Sequence, residues 1–140
     1  MNEARALRIA VALACLVPLA AGLAGMLAGA AFLGDGSPAG ISADSHIRYL
    51  SGLLFGIGIG FASTLWHIEA HGARFRLLTG IVVLGGLARL AGLVLRGAPD
   101  APMLFGLAME LLVTPLLCLW QGRVASLAAA SEGRGCMMRD

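Results

Sequence analysis

Apolar residues run continuously through most of this chain, and the polar residues collect into short breaks. From Ile9 to Phe32 no charge interrupts the run; Tyr49 to Trp66, Leu77 to Leu95 and Met103 to Trp120 are three more such runs, the last two carrying one charge each. Barrel strands would be about 10 residues long and would alternate, whereas these runs are each about 20 residues, the length a helix needs to cross the hydrocarbon of a bilayer. The pattern therefore predicts an all-α fold, a four-helix transmembrane bundle with helices at about 9–32, 47–66, 77–95 and 103–121. The intervening segments read as turns: Gly34-Asp35-Gly36-Ser37-Pro38 after the first run, His67 to Arg76 after the second, and Arg96-Gly97-Ala98-Pro99-Asp100-Ala101-Pro102 after the third. The polar, small-residue tail 122–140 is expected to be flexible.

Composition sharpens this picture. With 59% hydrophobic residues, 13% charged residues and a mean hydropathy of +0.87, the chain cannot clothe itself in a polar surface, so lipid is its expected solvent. Its 140 residues suffice for one membrane domain and no separate soluble one. The first run has a competing reading as a cleaved signal peptide, because Arg5 and Arg8 precede it and Ala28-Gly29-Ala30 resembles a small-residue cleavage site. It is, however, longer than the usual signal core of about 7 to 15 residues.

Charge sets the expected orientation. With an even number of spans, Arg5, Arg8, Arg74, Arg76, Arg123, Arg134 and Arg139 fall on the side of both termini, against Arg48 and Arg96 on the other. The positive-inside rule then places both termini in the cytoplasm, and Trp66 and Trp120 close the second and fourth spans on that same side, as interfacial indoles do. All ten basic residues are arginine and they are scattered, which gives no stripe for nucleic acid. Cys15, Cys118 and Cys136 have neither metal-ligand nor redox spacing, and no cofactor is expected.

Two charges fall inside spans. Arg89 lies seven residues before Arg96 and Glu110 seven after Met103, so antiparallel neighbours would bring both to a depth of roughly 10 Å at about 1.5 Å per residue. An unpaired charge there is expensive, and an Arg89 to Glu110 ion pair relieves the cost. Arg48 enters the second span from the same side, in line with Gly52, Gly56, Gly60 and Thr64, and this small-residue line is expected to face other helices. Gly85, Gly86 and Gly92 accompany Arg89; Gly106, Thr114 and Cys118 accompany Glu110. Arg48, Arg89 and Glu110, with His46 and Asp44 at the mouth, would form one outer-leaflet cluster.

That cluster has two readings. As a structural network it fixes helix register, and the protein is a non-enzymatic accessory or interaction subunit. As a ligand site, its surplus positive charge suits an anionic lipid headgroup, a carboxylate or a quinone carbonyl, and the protein would bind a lipid or small molecule, or act as a small transporter, as a homo-oligomer or within a larger membrane complex. An enzyme is the least supported class, since no nucleophile or metal set stands beside a matched base. His67 and His71, four apart with Glu69 nearby, read as solvated loop histidines rather than metal ligands, and Pro18 and Pro115 as helix kinks.

Taken in order, Ser45-His46-Ile47-Arg48-Tyr49-Leu50-Ser51-Gly52, Gly85-Gly86-Leu87-Ala88-Arg89-Leu90, and Glu110-Leu111 with Pro115 and Leu119-Trp120-Gln121 resemble the bacterial family of small membrane proteins known as domain of unknown function 4345. The likeness runs from the first span to Val124. It implies a four-helix protein of the bacterial cytoplasmic membrane, and it brings no established activity, cofactor or catalytic residue.

Overall fold

The computed structural model describes residues 3–33 and 40–137, with side chains described to residue 131 and not at Leu33. Arg139 lies outside the described residues, as do the side chains of Arg134 and Cys136. The described residues are almost all helical and contain no strand. In chain order they form α1 (Glu3–Ala28) with a tight 3-10 segment (Gly29–Leu33), α2 (Ile41–Ala62) with a second (Leu65–His67), α3 (Gly72–Arg96), α4 (Ala101–Ala108), a π turn (Met109–Val113) and α5 (Thr114–Met137). Four stretches, Glu3–Phe32, Ile41–His67, Gly72–Arg96 and Ala101–Ser131, are long and apolar enough to cross a membrane.

Each helix begins earlier than its apolar run. Polar residues at a span's end do not break a helix; they extend it into the headgroup layer, so Arg5, Arg8, Arg74 and Arg76 all lie on helices. α2 starts at Ile41 rather than near 47, because the Gly40 carbonyl accepts the Ala43 and Asp44 amides at 2.9 and 3.1 Å. Asp44 then stands in the first turn, where the helix dipole favours a carboxylate. The fourth span continues past Gln121 as helix to Met137.

The chain divides into two compact units, Ile9–Leu65 and Met1–Arg8 with Trp66–Asp140. In the first unit, α1 and α2 touch at glycines. A Cβ on Gly22 would lie 2.7 Å from the Phe55 backbone nitrogen, one on Gly58 would lie 2.9 Å from Leu19, and one on Gly25 would collide with the Ser51 hydroxyl. Such contacts allow two backbones to approach where no hydrophobic effect drives them together. The expected line at Gly52 and Gly56 is a different face: nothing lies within 4 Å of a Cβ at either. Gly85 and Gly92 on α3 are equally open.

The second unit packs α3 against the π turn and α5. Ile68, Phe75 and Val124 are buried, and the buried Gln121 side chain donates to the Ile68 carbonyl at 2.9 Å, tying α5 to the segment before α3. Elsewhere the surface is apolar: Val94 is 73% exposed, Leu119 72% and Leu84 69%, a surface that water would not tolerate and acyl chains would.

Candidate functional site

Glu110 owes its position to a proline. Pro115 has no amide hydrogen, and its ring crowds the carbonyl four residues back, that of Leu111. The helix answers by widening: the Thr114 amide reaches back five residues to the Met109 carbonyl, and the Thr114 hydroxyl donates to that same oxygen at 2.8 Å. Pro115 therefore shapes a π turn, and Glu110 is in it. Turns of this kind are frequent at functional sites.

Arg89 meets this turn from α3. Its Nη2 lies 3.1 Å from Glu110 Oε1, the ion pair expected from matching depths, and its Nη1 donates to Met103 Sδ at 3.4 Å. Two glycines make the approach possible. A Cβ on Gly86, one turn before Arg89, would lie 2.7 Å from Leu111 and 3.0 Å from the Glu110 Cβ; one on Gly106, a turn before Glu110, would lie 3.0 Å from Arg89 Nη1. The pair is incomplete, because Glu110 Oε2 is buried and has no hydrogen-bond partner among the described residues.

Arg48 belongs to the other unit and has its own partners there. Its Nε donates to Asp44 Oδ2 at 2.8 Å, one helical turn away, and its Nη1 donates to the Met26 and Leu27 carbonyls at 2.6 and 3.0 Å. Those carbonyls end α1, where no amide of the helix remains to reach them. Asp44 Oδ1 in turn accepts the Ala30 amide at 2.9 Å. Gly29 makes the clasp possible: its φ is +60°, and a Cβ there would collide with Asp44 Oδ1 and lie 2.7 Å from Arg48 Nη2. The small residues of Ala28-Gly29-Ala30, suggestive of a cleavage site, thus have a structural cause in the turn that closes α1.

His46 does not join Arg48. It follows Asp44 and precedes Arg48 by two residues each, which on a helix is the opposite face, and it is exposed beside Ile41, Ser42, Ser45 and Tyr49. His67 and His71 meet edge to face with ring centroids 6.5 Å apart, and no group of three metal-ligating side chains occurs among the described residues.

Sequence reasoning missed a polar cleft at the start of α1. Arg8 Nη2 donates to both oxygens of Glu69, at 3.2 and 3.1 Å, and Arg123 Nε lies 3.4 Å from Glu3 Oε2. Glu69, outside the spans, is held below its ordinary range by a hydrogen bond to its own backbone, against some desolvation, with the Arg8 guanidinium adding to the lowering. The signal was present in the interleaving of Arg and Glu at 3, 5, 8 and 69, which counting basic residues alone conceals.

The family described as Domain of unknown function (DUF4345) matches residues 6–121 of this sequence. The chain belongs to that family. The match takes in the second and third spans and most of the first and fourth, and so both Arg48 with Asp44 and Arg89 with Glu110. No curated protein and no solved structure matches.

Proposed function

We propose that this DUF4345 protein is a non-enzymatic integral membrane protein of the cytoplasmic membrane, with both termini in the cytoplasm, acting as an accessory or interaction subunit for other membrane components. Support for the orientation comes from the seven arginines on the terminal side against two on the other. The observation that carries the functional reading is that the two guanidiniums of the expected cluster are each already engaged by their own unit: Arg89 by Glu110 and Met103, Arg48 by Asp44 and two helix-end carbonyls. Groups so engaged act as fasteners. What is left for recognition is the apolar outer face, suited to lipid or to a partner's helices.

One observation favours a second reading, that the Arg89 and Glu110 pair is a binding site for a lipid, quinone or other small molecule. The unpartnered Oε2 of Glu110 could accept a hydrogen bond from a ligand hydroxyl. Arg89→Gln, Glu110→Gln and the double variant separate the two readings when melting in detergent is measured alongside the lipids and quinones that co-purify. The fastener reading expects each single variant to melt lower and the double to recover. Unchanged melting with loss of a bound molecule would overturn it in favour of the site.

A further inference from the structure

A cleft of about 520 Å³ lies within the second unit, among the first turns of α1, Glu69 and the α5 segment from Val124 to Ser131. Its polar wall is Glu3, Arg5, Arg8 and Glu69; Val124 and Leu127 line its apolar side. The uninterrupted apolar run of the first span begins at Ile9, so Arg5 and Arg8 stand at the boundary between headgroups and hydrocarbon.

Charge in the cleft nearly cancels. Arg8 is matched by Glu69 at 3.1 Å and Arg123 by Glu3 at 3.4 Å, whereas no carboxylate pairs with Arg5 among the described residues. Among the described residues, and counting Arg123, which reaches Glu3 from outside the cleft's lining, one positive charge is left over. A surplus of one charge beside the partly exposed Arg8 guanidinium defines what would balance it: a monoanion whose oxygens accept from guanidinium groups. A phosphate monoester would bring a second negative charge against Glu3 and Glu69.

We propose that this cleft binds the phosphodiester headgroup of an anionic glycerophospholipid. Arg5 supplies the compensating charge, the exposed part of the Arg8 guanidinium donates to a non-bridging phosphate oxygen, and the acyl chain begins along the half-exposed Leu127. A zwitterionic lipid carries no net charge for Arg5 to balance. The inference is independent of the accessory-subunit reading and needs only that the spans lie in lipid.

The test uses the full chain in detergent micelles, with phosphatidylglycerol, phosphatidylcholine or inorganic phosphate added, and reads melting together with lipid retention in native mass spectrometry. Phosphatidylglycerol is expected to raise the melting temperature and to persist as a single adduct, and phosphatidylcholine to do neither. Arg5→Gln, at an exposed position, should leave basal melting unchanged and weaken phosphatidylglycerol binding about fivefold, the worth of one basic residue at an anionic surface. Leu127→Ser should weaken it as well, and Arg96→Gln, at the far end of α3, should not. Equal retention of phosphatidylcholine, or full phosphatidylglycerol binding by Arg5→Gln, would overturn the proposal. Displacement of the lipid by millimolar phosphate would assign the cleft to a free anion instead and overturn it too.

Discussion

Arg48 and Arg89 are the same side chain held by opposite strategies. In Ile9–Leu65, Arg48 shares its charge among a carboxylate one turn away and two carbonyls that end α1, and its side chain remains 45% exposed. In the unit containing α3 to α5, Arg89 crosses between helices to one carboxylate, and that carboxylate, Glu110, is only 18% exposed. The first arrangement is redundant: carbonyls and solvent remain if one partner goes. The second is not, because removing Glu110 strands a guanidinium among apolar neighbours. A fastener made of many weak acceptors tolerates damage, whereas one made of a single strong acceptor concentrates the energy and the risk.

The largest expected effect follows from that asymmetry. Glu110→Leu should cost about 2.5–3.5 kcal/mol, the price of an uncompensated Arg within a span. Asp44→Leu should cost clearly less, because Arg48 keeps two carbonyl acceptors and solvent when that exposed carboxylate is gone. Melting of the two variants in one detergent compares them directly, and equal losses would erase the distinction drawn between the units. Arg89→Leu combined with Glu110→Leu should recover most of the larger loss, because it removes both charges at once.

Glycines sharpen the comparison at intermediate magnitude. Gly29→Ala places a Cβ at φ +60° and against Asp44, so the left-handed strain of about 1–2 kcal/mol is the lower bound of its cost. Gly22→Ala meets the Phe55 backbone at 2.7 Å, which cannot swing aside as a side chain can, and should cost about 1–3 kcal/mol. Gly52→Ala and Gly56→Ala meet nothing and should be neutral, or stabilising by up to about 1 kcal/mol through helix propensity. Chemical denaturation of α-helical signal across the set would show the order; a destabilised Gly52→Ala would restore the face that the sequence pattern favoured.

That inversion shows where sequence reasoning holds and where it stops. Four apolar helices were legible because the length and hydropathy of a span are properties of the solvent, and the Arg89 and Glu110 pair because depth can be counted along two helices. The glycine face was not, since an i, i+4 line says which residues share a side and nothing about which side has a neighbour. Gly52 and Gly56 open the longer line and meet nothing, yet the close contacts fall at Gly22, Gly25 and Gly58. The π turn was hidden for a related reason: Pro115 announces a missing hydrogen bond, and whether the helix bends or widens depends on Thr114 capturing the Met109 carbonyl. Likewise Asp44 and Arg48 are an ordinary i, i+4 pair until the end of α1 arrives beside them.

The smallest expected effect lies at Glu69 and contrasts the headgroup layer with the span. Its carboxyl is held below the ordinary value of 4.5, first by its own backbone hydrogen bond and, after the opposing cost of desolvation, by the Arg8 guanidinium. A carboxylate whose folded pKa is lowered contributes stability that is present above its unfolded pKa and is lost as the pH falls through the folded one. Melting followed from about pH 6 down to about pH 4 should therefore begin to fall as Glu69 approaches protonation, and Glu69→Gln should flatten that limb while lowering stability at neutral pH by about 0.2–1 kcal/mol, the range for solvent-screened pairs. Salt should mimic the variant at neutral pH, because a pair with side chains 41% and 31% exposed is open to counterions. The Arg89 and Glu110 pair, shielded within the spans, should ignore the same salt, and a salt response of equal size in Glu110→Gln and Glu69→Gln backgrounds would break the contrast between them.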